Sequence, residues 1–155
     1  MSGRRWWSGW GSALIIITWL MYRYYGDTKS AEEYFDNMIH WMQFLQTGME
    51  KGIVEGEGTD KDCLGEWSTP GEILIPPRFV NTFFYAYNAK LMTELAEVLG
   101  RSADAEYFRI SIMKQCLALE TSFMILKMVG TVLGHRERKH LRISWVLSEK
   151  ENFAK

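Results

Sequence analysis

The chain has 155 residues, of which 47% are hydrophobic, 14% aromatic and 24% charged, the make-up of one globular domain and far from that of a disordered segment. A formal net charge of -1 and a pI near 6.3 give no electrostatic reason to expect nucleic acid or an acidic membrane surface as partner. Cys63 and Cys116 form no CxxC pair, which argues against a structural zinc site and against a disulfide framework.

Arg4 and Arg5 precede the apolar run Ala13 to Tyr22, which at roughly ten residues is half of the ~20 that a membrane span requires. No small-x-small cleavage site follows it, and the run passes directly into Arg23-Tyr24-Tyr25-Gly26-Asp27. That is the end of a helix with a glycine stop, so the segment reads as a helix buried on more than one side rather than as a leader peptide. No membrane association is expected.

Ser30-Ala31-Glu32-Glu33 predicts a capping box, with the Ser30 hydroxyl on the Glu33 amide, opening a second helix. Tyr34, Met38, Trp41, Met42 and Leu45 form its apolar stripe, and acids and amides occupy the other faces. From Thr47 to Arg78 the periodicity disappears. This segment holds all three prolines and the acids Glu55, Glu57, Asp60, Asp62 and Glu66, and so long an irregular connection in a compact domain is usually functional. Phe79 to Leu99 is helical again, with Phe84, Tyr87, Leu91, Leu95 and Val98 on one face and Gly100 as its stop. Ser102 caps a fourth helix whose stripe is Phe108, Ile112, Cys116 and Leu119.

Leu20-Met21-Tyr22 through Gly26 to Tyr34-Phe35 is echoed by Leu91-Met92-Thr93 through Gly100 to Tyr107-Phe108. Self-similarity of this kind predicts helical hairpins stacked side by side, with the first and third helices pointing the same way. The fold expected is all-α. Trp10 in Gly9-Trp10-Gly11 and Trp67 in Cys63-Leu64-Gly65-Glu66-Trp67-Ser68-Thr69-Pro70 each sit beside glycine ahead of one of those helices. Two aromatic plates next to the Glu66 carboxylate suggest a sugar site; as isolated residues, tryptophans at such positions more often serve a core than a ligand. Asp60-x-Asp62 lacks the bidentate glutamate of a calcium loop, and His40, His135 and His140 have no ligand spacing, so neither a metal nor any other cofactor is expected.

Several motifs recur in order: Trp10-Gly11-Ser12-Ala13 before an isoleucine-rich helix, Tyr22-Arg23-Tyr24-Tyr25-Gly26-Asp27, Leu64-Gly65-Glu66-Trp67, Val80-Asn81-Thr82 and Leu95-Ala96-Glu97-Val98-Leu99-Gly100. Together they resemble the bacterial α-L-rhamnosidase family, over roughly Ser8 to Phe123. The resemblance implies two hairpins of a six-hairpin (α/α)6 toroid. It also implies a carbohydrate ligand, a terminal α-L-rhamnoside, contacted by Trp10, Glu66 and Trp67. The family usually has aspartate where this chain has Glu66, one methylene longer. The implied chemistry is inverting hydrolysis, one carboxylic acid protonating the leaving oxygen while a carboxylate activates water across the ring. Neither member of that pair falls in the matched region, so no residue here is expected to be catalytic, and the chain is expected to be inactive alone. Two hairpins also leave apolar faces uncovered, which implies self-association.

Residues 1–123 are therefore read as a partial six-hairpin glycosidase domain and residues 124–155 as a tail. The resemblance leads one to expect a segment like Gly-Thr-Gln-Gly-Ala-x-Ala-Phe-Ala after Phe123, where the chain has Leu133-Gly134-His135-Arg136-Glu137-Arg138-Lys139-His140-Leu141-Arg142. Taking the third base of each codon with the first two of the next permits that motif, and forces Asp at Met124–Ile125 and Gly at Met128–Val129. The tail is thus expected to be translated out of the domain's frame. Two other classes are compatible with the residues: a helical-repeat module that binds protein, and a small membrane-associated protein using its apolar start.

Overall fold

A computed structural model describes residues 11–56 and 76–132, with side chains as far as residue 122. Helix α1 spans Ala13–Tyr25. It ends where the sequence predicts: Gly26 takes φ 68°, a left-handed conformation that costs glycine little, and the amides of Gly26 and Asp27 return to the carbonyls of Tyr22 and Met21 at 2.8 and 3.4 Å. Helix α2 spans Lys29–Thr47, but its cap is not the predicted box. Asp27 performs the capping. Its Oδ1 accepts from the amides of Lys29 and Ser30 at 3.0 and 3.3 Å, and its Oδ2 from the Ser30 hydroxyl at 2.6 Å. The Ser30 hydroxyl bond, more than any other influence, holds the Asp27 carboxyl below its ordinary range. A carboxylate just ahead of the first turn meets the positive end of the helix and outcompetes a hydroxyl placed one turn later.

The buried stripe of α2 is Ala31, Phe35, Met38, Met42 and Leu45. It is centred one position from the predicted one, with Tyr34 exposed. After α2 comes an antiparallel β-hairpin absent from the sequence reading, β1 Met49–Glu50 and β2 Ile53–Val54. Lys51 and Gly52, at φ 50° and 82°, make its tight turn. The Val54 amide donates to Thr82 Oγ1 at 2.9 Å, the Thr82 hydroxyl donates to the Arg78 carbonyl at 2.7 Å, and the Gln115 amide reaches the Met49 sulfur at 3.3 Å.

Helix α3, Pro77–Val98, carries proline at its first position, where no N–H is needed. Gly100, at φ 69°, follows its end. Helix α4, Ser102–Val132, runs without interruption through residues 123 and 124, and its predicted stripe of Phe108, Ile112, Cys116 and Leu119 is buried. Arg109 ties α4 to Glu97 of α3 at 2.5 Å, closing the second helical hairpin.

The two hairpins stack in parallel register. The Asn88 amide donates to Ser12 Oγ at 2.6 Å and the Trp19 indole N–H to Glu94 at 2.7 Å. The later residue of α1 thus meets the later residue of α3, which only inner helices with a common direction allow. The outer helices repeat the relation, with Asp36 on Arg101 at 2.8 Å and Gln46 on the Tyr107 hydroxyl at 2.6 Å. The architecture is all-α, as its helical periodicities predict, with one small β-hairpin that they do not.

Burial is distributed differently from the prediction. α3, enclosed by α1, α2, β2 and α4, buries positions around most of its circumference, whereas α1 buries only Ile15 and Thr18 within its span. Leu14, Ile17, Met21 and Tyr24, at helical spacing, are exposed: α2 and α3 are the main neighbours of α1 among the described residues, and Leu14, Ile17 and Met21 line an open groove with Ser30 and Tyr34 of α2. Among those residues no helix is long and apolar enough to cross a membrane.

Candidate functional site

Trp10, Glu66 and Trp67, the sugar-contacting residues expected from the sequence, lie outside the described residues. Described instead are the parts of the fold to which they are joined. The C-terminal part of α2 lies beside the start of α1: Gly11 stands directly on the Trp41 indole, and a Cβ built on Gly11 would overlap ring atoms Cη2, Cζ2 and Cε2. The next residue, Ser12, is fully buried and accepts the bond from Asn88, itself fully buried on α3. The β-hairpin follows α2 at this same end and is anchored on the first turns of α3 through Thr82. Gly11, Gly56 and Pro76, which border the undescribed segments that carry Trp10, Glu66 and Trp67, therefore belong to one end of the molecule.

Of the buried polar atoms with no hydrogen-bond partner among the described residues, two belong to the side chains that meet Gly11 and Ser12. Trp41 Nε1 is a buried donor and Asn88 Oδ1 a buried acceptor, and buried groups of either kind normally have partners. Sequence reading singled out neither residue for a site. The signal for Asn88 was an amide flanked by Ala86, Tyr87 and Ala89, a residue type rarely buried without a specific contact.

Nearer the outer helices, the Gln46 amide donates to both the Tyr85 and Tyr107 hydroxyls at 2.6 Å. Burial pushes the Tyr85 hydroxyl above its ordinary pKa of 10.0, against the opposing hydrogen bonds of Gln46 and Ser111. A group with a raised folded-state pKa stabilises fully below its unfolded value and loses that contribution as pH rises through the folded one. Urea unfolding is therefore expected to show stability falling above pH 10, and Tyr85→Phe is expected to cost about 1 kcal/mol at pH 7 while giving a flatter profile between pH 9 and 11. Equal alkaline slopes in the two proteins would remove Tyr85 from this role. Among the described residues no group of three or more His, Cys, Asp or Glu side chains could hold a metal ion.

Stacked helical hairpins with co-directional inner helices define a helical-hairpin class of domain. Residues 5–151 match the model of the bacterial alpha-L-rhamnosidase 6 hairpin glycosidase domain, and the chain belongs to that family. It is similar to the alpha-L-rhamnosidase of Formosa agariphila, 26% identical over 157 residues that cover 94% of this chain and 16% of the relative. It also resembles the alpha-L-rhamnosidase of Alteromonas sp., 25% identical over 125 residues, 75% of this chain and 13% of the relative. The solved α-L-rhamnosidase from Dictyoglumus thermophilum superposes with a TM-score of 0.63 at 26% identity, covering 72% of this chain and 12% of that one. The chain thus spans well under a fifth of the length of these proteins.

Proposed function

We propose that this chain is the sugar-facing part of an α-L-rhamnosidase-type glycoside hydrolase domain, in which Trp10 and Trp67 stack on a terminal α-L-rhamnoside and Glu66 hydrogen-bonds its hydroxyls. The acid–base pair of inverting hydrolysis lies outside this sequence, so the chain binds without turning over. What supports the reading is the parallel register of α1 and α3 through Ser12–Asn88 and Trp19–Glu94, since it is the condition under which segments preceding two inner helices share one end of a hairpin stack. Family membership supports the carbohydrate class of ligand.

The test is titration of the chain with L-rhamnose by NMR, alongside incubation with an aryl α-L-rhamnoside. Binding is expected without release of the aryl alcohol, and Trp10→Ala and Trp67→Ala are each expected to weaken binding about tenfold or more, the loss of one aromatic platform. Unchanged binding in both variants, or none in the parent, would leave the helical-repeat interaction module as the better reading. The exposed stripe of Leu14, Ile17, Met21 and Tyr24, with Met113 and Leu117 on α4, supports self-association of the isolated chain; sedimentation of the same samples as a monomer at all concentrations would refute it. For residues 124–155 we infer a shifted reading frame, supported by the run of overlapping codons that permits the family's motif. The family match itself extends to residue 151, and coding DNA in which no single-base shift restores the motif would end the inference.

A further inference from the structure

We propose that Met49 is a modification site: oxidation of its thioether to the sulfoxide by hydrogen peroxide pushes the β-hairpin away from α4 and slackens its hold on the first turns of α3. The proposal is independent of the sugar reading, because it concerns only how the hairpin is seated.

The methionines with described side chains differ in what peroxide can do to them. Met38, Met42 and Met92 are fully buried, so the oxidant reaches their sulfurs only when the core opens. Met21 and Met113 are exposed, and an oxygen added there can be solvated. Met49 belongs to neither group. It is half-buried against the core, and its sulfur accepts a hydrogen bond at 3.3 Å from the amide of Gln115, a buried residue of α4.

Three points of contact seat the hairpin. Gln115 holds Met49 on α4. At the turn, Gly52 lies so close to the same helix that an added Cβ would stand 3.0 Å from the Ala118 Cβ. On the second strand the Val54 amide donates to Thr82 Oγ1 of α3 at 2.9 Å, and Val54 is the cross-strand partner of Met49. A displacement of Met49 is thereby passed to the anchor on α3.

In the reaction the Met49 sulfur attacks one oxygen of hydrogen peroxide. The S–O bond forms as the O–O bond breaks, the sulfur gives up two electrons, and the proton of the transferred oxygen passes to the departing hydroxide, leaving sulfoxide and one water. The new oxygen needs its own ~2.9 Å to the Gln115 nitrogen, so a sulfur and nitrogen now 3.3 Å apart must separate. Gly52 already rests on α4, and the strand therefore moves outward. An oxygen on the other face of the sulfur is driven out of the apolar core instead, since burying it there without a partner is costly.

The experiment treats the full chain with hydrogen peroxide, locates oxidation by peptide mass mapping and follows exchange of the Val54 amide by NMR. Met49 is expected to oxidise after Met21 and Met113 and before Met38, Met42 and Met92. Its sulfoxide is expected to speed Val54 exchange about tenfold, and methionine sulfoxide reductases are expected to reverse this. Met49→Leu should keep slow exchange in peroxide, whereas the Met21→Leu, Met113→Leu double variant should respond like the parent. Oxidation of Met49 only together with the fully buried methionines overturns the proposal. So does unchanged Val54 exchange once Met49 is oxidised, or equal acceleration in Met49→Leu. Should Met49→Leu not fold, the reductase step in the double variant decides: acceleration that disappears as Met49 is reduced supports the proposal, and acceleration that persists overturns it.

Discussion

Phe35→Ala is expected to lower the unfolding free energy by about 3–5 kcal/mol, the range for deleting a large buried aromatic ring, and to leave little folded protein at physiological temperature. Phe35 is fully buried in the middle of the α2 stripe, in the core shared with α1, α3 and α4. Its ring also lies 4.4 Å from the Arg101 guanidinium, which pairs with Asp36 and Asp104 at 2.8 and 2.6 Å. Truncation leaves a cavity and removes the surface on which that cation rests, so part of the cost should disappear in an Arg101→Ala background. Urea denaturation of both single variants and the double measures each term; a loss below about 1 kcal/mol for Phe35→Ala would mean that the core around α2 closes over the gap.

Asn88→Asp is expected to cost about 3 kcal/mol at pH 7, comparable to leaving a buried charge without a partner. The change is nearly isosteric, so packing is preserved and only the charge is altered. Asn88 is fully buried and its amide bonds the Ser12 hydroxyl; a single hydroxyl cannot replace the hydration of a carboxylate. Burial therefore raises the folded-state pKa of the new acid above its unfolded value near 4. Its protonated form is compatible with the fold, so the deficit relative to the parent chain should be smallest below pH 4 and grow as pH rises toward the folded-state pKa. A pH-independent deficit would show that the site admits water or rearranges.

The sequence is most legible where one residue decides the outcome locally. Gly26 and Gly100 end their helices with left-handed backbone, and the Phe108, Ile112, Cys116, Leu119 stripe needed only its spacing to be placed in the core. The shared direction of α1 and α3 was also legible, because the repeated motifs count two helices per hairpin. What escaped depends on competition or on distance. Asp27 and Ser30 are both good caps, and only geometry shows that the carboxylate takes the amides and the hydroxyl as well. A stripe on Tyr34 or on Phe35 fits the same periodicity, and the neighbouring helices select Phe35. The β-hairpin has two-residue strands, too short for any alternation to announce them. At the candidate site, the grip on Gly11 and Ser12 comes from Trp41 and Asn88, far away in the sequence, and neither matches a motif.

The register of the two inner helices has one more consequence. Because Asn88 lies level with Ser12, the stretch of α3 from Pro77 to Tyr87 stands beyond the start of α1 by about 16 Å at 1.5 Å per residue. Lacking α1 alongside, these turns are held by β2 through Thr82, by α2 through the Gln46–Tyr85 bond and by α4. Amide protons near Thr82 should therefore exchange at a free energy set by the hold of the β-hairpin, α2 and α4, and those near Leu95 at one set by global unfolding.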